Sequence, residues 1–421
     1  MSGHASYAQP VSLEVNAQKF EPLPIAIPDF QSNAPKIAID IKNIVENNLK
    51  NSGLFRVIPS TSYLEKPQIG QVPNFENWRP LGAAALLVAD VQLNDNKTLQ
   101  LSFRLWDSFT GQQLFGQKLS GQIFSLRRLA HKMSDAVYTQ LTGEGPYFDS
   151  KIIFIDETGS KKRRRKRLAI MDQDGANMRY LTPKNEYVLS PRYSMRAQRV
   201  VFTTLNKSGS SLHLMDPSTG ARERIIQYRN KMVFSPALSP DGQKIAMSVE
   251  NGGNTDIYIY NIATRRMYPL TSGFSIDTSP SFSPDGQQIV FNSDRGGAQQ
   301  LYTMSINGGQ PKRISYGSGR YATPVWSPKG DKIAFTKMSG GNFSIGIMSP
   351  DGTNERILAS SFLDEAPSWA PNGRSVVFFR QMAGVRGQSA LYKVDISGFI
   401  PEQRVKTPHY ASDPSWSPLL N

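Results

Sequence analysis

Short runs of β-type residues separated by clusters of Gly, Pro, Ser and Asn dominate the chain from about residue 150 onward. The clearest runs are Val200-Val201-Phe202, Ile245-Ala246-Met247, Ile289-Val290-Phe291, Ile333-Ala334-Phe335 and Val376-Val377-Phe378. Each follows a copy of Pro-x-aromatic/Leu-Ser/Ala-Pro-x-Gly. Four copies are complete: Pro236 to Gly242, Pro280 to Gly286, Pro324 to Gly330 and Pro367 to Gly373. A worn copy starts at Pro191 and a truncated one runs from Pro414 to Pro418. Successive copies begin 45, 44, 44, 43 and 47 residues apart. A second β run and a polar strand ending near Leu181, Ile225, Leu270, Ile314 or Ile357 complete each period. Four short strands in about 44 residues is the sequence signature of a propeller blade.

Six copies predict six blades. The last copy stops after one strand, while Lys151–Ile155 and Leu168–Met171 read as second and third strands with no first strand before them. Joining the two ends makes one shared blade, which closes the ring and removes its open edges. In each turn, Pro sets φ, Asp accepts backbone N–H groups and Gly takes positive φ. The aromatic two residues after the first Pro is expected to pack on a neighbouring blade.

Before residue 146 the rhythm differs. Pro24–Phe30 and Leu54–Ile58 read as strands. Ile37, Ile41, Ile44, Val45 and Leu49 share a helical face between Asn33 as start and Gly53 as stop signal. Ala84–Val91 and Leu99–Trp106 form a hairpin pattern across Asn94-Asp95-Asn96, and Leu126, Leu129, Ala130, Met133, Val137 and Leu141 stripe a final helix. The expected organisation is a multidomain chain: an N-terminal segment (1–22), an α/β domain (23–146) and a six-bladed all-β propeller (147–421) closed by the shared blade. Val11-Ser12-Leu13-Glu14-Val15 alternates like a strand. It suits either addition to a partner's sheet edge or the first strand of its own domain.

Composition narrows the chemistry. The 421 residues include no cysteine, which excludes disulfides and thiolate sites. The longest apolar stretch, Leu81–Ala89, is too short to span a bilayer, and the start carries no signal-peptide pattern. Net charge is +14, and part of it lies in the run Lys161, Lys162, Arg163, Arg164, Arg165, Lys166, Arg167. That run reads as a nucleic-acid or localisation patch, a docking surface for an acidic protein, or a solvated loop between the second and third strands of the shared blade. No nucleic-acid motif or stacking aromatic accompanies it, so no nucleic-acid partner is expected.

Nucleophile elbow, phosphate loop, dinucleotide fingerprint and zinc-helix motifs are absent, and His4, His131, His213 and His409 are scattered. Asp172-Gln173-Asp174-Gly175 echoes the opening of a calcium loop without its later acidic ligand, and reads as a turn. No catalytic residue, metal or cofactor is expected. The alternative is the propeller domain of a hydrolase or peptidase, which would need a nucleophile-bearing domain or converging acids and histidines.

The strand Lys166-Arg-Leu-Ala-Ile-Met-Asp-Gln-Asp-Gly-Ala-Asn177, the Ser-Pro-Asp-Gly repeats, Phe362–Pro367 and Pro414–Pro418 together resemble the TolB family of the Tol–Pal cell-envelope system. The resemblance implies a periplasmic, non-enzymatic, monomeric scaffold. Its propeller would bind the peptidoglycan-associated lipoprotein Pal, and its extreme N-terminus, here about Val11–Phe20, would bind TolA. The complex would support outer-membrane integrity and constriction at division, and some bacteriocins would enter by mimicking Pal. The residues just before each repeat Pro are expected to ring the channel mouth: Ser235, Asp277, Thr278, Ser279, Tyr321, Thr323, Asp364, Glu365 and Asp413. Thr278 best matches the family's contact positions. The Ser-Pro-Asp-Gly turns, Asp285 among them, belong to the opposite face.

Overall fold

The structure is a computed structural model that describes residues 20–160, 163–384 and 388–421. Two compact units meet at Asp149/Ser150.

The first unit is one mixed sheet with two long helices. Its elements are β1 (Leu23–Ala26), β2 (Gln31–Ser32), α1 (Pro35–Asn51), β3 (Phe55–Val57), β4 (Ala85–Leu93), β5 (Thr98–Asp107), β6 (Gln113–Gln122) and α2 (Leu126–Thr142). The sheet order is β3-β1-β4-β5-β6, with β2 beside β4. β1 runs parallel to β3 and β4, β2 runs parallel to β4, and the β4–β5–β6 pairings are antiparallel. Alternation along β4 sends Leu86 and Val88 into a cluster with Trp78 and Trp106. Leu87, Ala89 and Val91, on the other face, are buried as well. Asn48 of α1 joins α2 by hydrogen bonds to the His131 ring and the Ser134 hydroxyl, both 2.9 Å.

Two local expectations change here. Asn33 does not cap α1: its side chain pairs with the backbone of Leu93, and the helix starts with Pro35 at its first position. Proline at the first position removes one of the first turn's unpaired N–H groups and brings a φ already suited to the helix. β6 was not foreseen, because it is a largely exposed edge strand in which Gln, Lys, Ser and Gly interrupt Leu114, Phe115 and Leu119 and leave no clean period-two pattern.

The second unit is a closed ring of six four-stranded antiparallel blades. Its shared blade pairs the C-terminal strand Tyr410–Trp416 with β7 (Lys151–Thr158), followed by β8 (Arg165–Asp172) and β9 (Arg179–Tyr180). The closure matches Ser412 with Ile155 and Trp416 with Ile152. The Trp416 indole donates to Ser150 Oγ at 2.8 Å. Five further blades begin with the inner strands Tyr187–Tyr193, Val233–Leu238, Asp277–Phe282, Arg320–Trp326 and Leu363–Trp369.

Core clusters straddle blade boundaries, as the repeat aromatics require. Trp326 packs with Val290 and Leu301 of the preceding blade, and Trp369 with Ala334 and Ile345. The turns behave as their chemistry demands: Gly286 sits at φ 71°, its N–H bonds the Ser283 carbonyl, and the Ser283 hydroxyl donates to Asp285 at 2.5 Å. That hydroxyl, followed by the Gln287 N–H, holds the Asp285 carboxyl below its usual pKa.

Candidate functional site

Each inner strand carries the same irregularity at its repeat proline. Proline has no N–H for the ladder, and the pairing register slips there in all six blades. The residue before it adopts left-handed backbone although none is glycine: Ser190 (φ 47°), Ser235 (45°), Ser279 (56°), Thr323 (46°), Ala366 (53°) and Asp413 (47°). Such a residue costs about 1–2 kcal/mol. The bulge absorbs the missing donor and bends the strand. Ser235, Ser279 and Thr323 line the central channel.

Counting back from the proline separates two further rings. Three residues before it stand Val188, Val233, Asp277, Tyr321, Asp364 and Ala411, all at most 1% exposed. The residues just before the prolines are thus strand residues, and period-two alternation turns the side chains of this ring into the core. Asp277 is held by Arg295 at 2.8 Å. Asp364 receives Arg380 Nε and Nη2, both at 2.6 Å, and the Ser361 hydroxyl at 2.5 Å. Tyr321 donates to Glu355, which also holds Lys337. Burial, and secondarily Glu355, pushes the Tyr321 phenol up.

Two residues before the proline stand Leu189, Phe234, Thr278, Ala322, Glu365 and Ser412. Ser412 is buried and the other five are partly open to solvent. Thr278 Oγ1 accepts from Asn292 at 2.7 Å. Burial, with a smaller contribution from Asp413, raises the Glu365 pKa. Ser412 donates to Glu157 at 2.6 Å. This ring differs in every blade, on a backbone frame that does not.

The basic run sits beside it. Arg165, Lys166 and Arg167 are not loop residues but the start of β8. Glu157 takes Arg164 at 3.0 Å and Lys166 at 3.1 Å, and Arg164 also lies 5.8 Å over the Tyr410 ring. Burial opposes the Lys166 charge, but Glu157 and Asp413 outweigh it and raise its pKa. Arg167 lies 3.4 Å over the Tyr180 ring and donates to the Thr182 carbonyl. Arg163 and Arg165 stay exposed. Lys161, Lys162 and the segment Val11, Ser12, Leu13, Glu14, Val15 lie outside the described residues.

The remaining candidates have structural partners. His213 contacts Thr204 and Arg222 and is driven down to about 3, by burial first and then Arg222 and Arg224. His409 pairs with Asp156 at 3.1 Å. Asp172 takes Lys151 at 2.6 Å and Asn177 at 2.9 Å, as a turn residue would.

Sequence reasoning missed Arg295 and Arg380, whose side chains reach the inner strand only through the pairing register. The two-residue alternation within each inner strand could have separated its buried ring from its open one.

These features define a two-domain β-propeller protein whose inner strands carry blade-specific side chains on one repeated bulge. The chain matches the TolB beta propeller domain over residues 138–420 and the TolB amino-terminal domain over residues 11–114. It is 50% identical to the Tol-Pal system protein TolB of Ruegeria sp. (strain TM1040), covering 98% of this chain and 94% of that one. The crystal structure of TolB from Acinetobacter baumannii superposes with a TM-score of 0.84 at 26% identity, over 94% of this chain and 97% of that one. A putative TolB from Agrobacterium tumefaciens shares the fold, with a TM-score of 0.50 at 21% identity, over 64% and 92% of the two chains. The chain belongs to the TolB family.

Proposed function

We propose that this chain is a non-enzymatic periplasmic scaffold of the Tol–Pal system. Its propeller mouth binds Pal and its N-terminal segment binds TolA, and the complex sustains outer-membrane integrity and constriction during division. Bacteriocins that mimic Pal would use the same mouth. The observation that carries this reading is the contrast within the inner strands. Six bulges repeat one geometry, while the open ring of Leu189, Phe234, Thr278, Ala322 and Glu365 changes in every blade. An asymmetric protein partner needs such differences in a pseudo-symmetric ring, and its central contacts carry most of the affinity. Family membership supports the system. The described residues include no helix long and apolar enough to cross a membrane.

Deleting residues 1–19 separates the two sites. Calorimetry with soluble TolA and Pal fragments should show TolA binding lost, Pal binding retained and the melting temperature within about 1 °C. Retained TolA binding in the deleted chain overturns the N-terminal assignment.

A further inference from the structure

The residue after the repeat proline borders the same cavity in every blade. Arg192, Ala237, Ser281, Val325, Ser368 and Ser415 all line one cavity of about 70 Å³. Arg192 is its sole charged lining residue. Nη1 of Arg192 donates to the Pro191 carbonyl at 2.9 Å, and among the described residues no carboxylate lies within ion-pair distance of it. Asp413 attracts it from farther away and does not line the cavity. Burial pulls the guanidinium below its ordinary pKa.

The three serines add donors of the same kind. Ser281, Ser368 and Ser415 are 7%, 7% and 2% exposed. Each Oγ accepts a backbone N–H from the next blade: Trp326 at 3.1 Å, Trp416 at 2.9 Å and Tyr193 at 2.9 Å. Accepting there leaves each hydroxyl proton free, and among the described residues none of the three donates to a protein acceptor. The cavity thus gathers three hydroxyl donors around one cation without a counter-charge. A water molecule takes about 30 Å³ in the liquid, so the cavity has room for one small ion and a water.

We propose that the channel binds a single small monovalent anion, of chloride or formate size, between Arg192 and the hydroxyls of Ser281, Ser368 and Ser415. The anion supplies the counter-charge that the guanidinium lacks and accepts hydrogen bonds from the unused hydroxyl groups. It ties together four of the six blades at the axis, independently of any protein partner.

Crystals of the full chain grown in bromide test this by anomalous scattering. An anomalous peak within hydrogen-bond reach of the Arg192 guanidinium is expected, and it should vanish in Arg192→Gln. In solution at constant ionic strength, replacing gluconate by chloride should raise the melting temperature of the native chain and leave Arg192→Gln unmoved. If that variant does not fold, Ser415→Ala replaces it, with a weaker bromide peak expected. No peak at Arg192 in the native chain, a peak of equal height in the folded variant, or an equal chloride response in both would overturn the proposal.

Discussion

Replacing Arg380 with alanine asks whether the buried ring beneath the mouth is framework or contact surface. Asp364 is fully buried and accepts two guanidinium hydrogen bonds at 2.6 Å. The same guanidinium bonds Glu402 at 2.6 Å and lies 4.7 Å over the Tyr392 ring. Removing one partner of a buried pair leaves an uncompensated charge and costs about 3–5 kcal/mol. Against a domain stability of roughly 5–15 kcal/mol, that loss is large. Denaturant unfolding followed by tryptophan fluorescence reads it directly, since Trp326, Trp369 and Trp416 all lie in inner strands. Adding Asp364→Asn to Arg380→Ala should recover about half of the loss, because the neutral amide no longer demands a cation. A loss below about 1 kcal/mol for Arg380→Ala, or no recovery in the double variant, would refute the reasoning.

Two further outcomes follow from local geometry. Asp135 of α2 accepts the N–H groups of Tyr147, Phe148 and Asp149, yet burial outweighs them and raises its pKa to about 6. A raised carboxyl contributes stability in full below its unfolded pKa near 3.8, and that contribution is lost as pH rises through 6. Relative to Asp135→Asn, the native chain should therefore lose about 2–3 kcal/mol between pH 4 and 7; parallel pH profiles of unfolding free energy would contradict this. Arg163→Ser with Arg165→Ser removes the two charges that are exposed among the described residues of the basic run. It should slow association with an acidic partner and flatten its salt dependence while leaving dissociation unchanged, and stopped-flow rates unaffected at low salt would count against a steering role.

The architecture was legible because its signals are local. Turn chemistry in Ser-Pro-Asp-Gly and the period near 44 residues define the blade, and counting strands at the two ends gives the shared blade. The candidate site was legible only in part. Its residues were chosen by their position before each proline, but a list of positions does not say which way side chains point. Asp277, Tyr321 and Asp364 turn inward because they are strand residues on the buried side of the pleat. Thr278 and Glu365, one step along, face out. The left-handed ring left no glycine to mark it, since Ser, Thr, Ala and Asp fill those positions. Arg192 falls in the worn repeat that starts at Pro191, and its isolation emerges only once the blades close around the axis.

The most direct test of the partner-binding mouth is calorimetric titration of the full chain with soluble Pal, comparing Thr278→Arg, on the open ring, with Asp285→Ala, in a turn at the opposite end of the same blade. Central interface contacts commonly cost about 2 kcal/mol or more when disrupted. The account predicts that Thr278→Arg weakens Pal binding at least tenfold with the melting temperature unchanged. Asp285→Ala should lose about 1 kcal/mol of stability through its turn hydrogen bonds and bind Pal normally. Normal Pal affinity in Thr278→Arg together with lost affinity in Asp285→Ala would contradict the account and move the site to the other face.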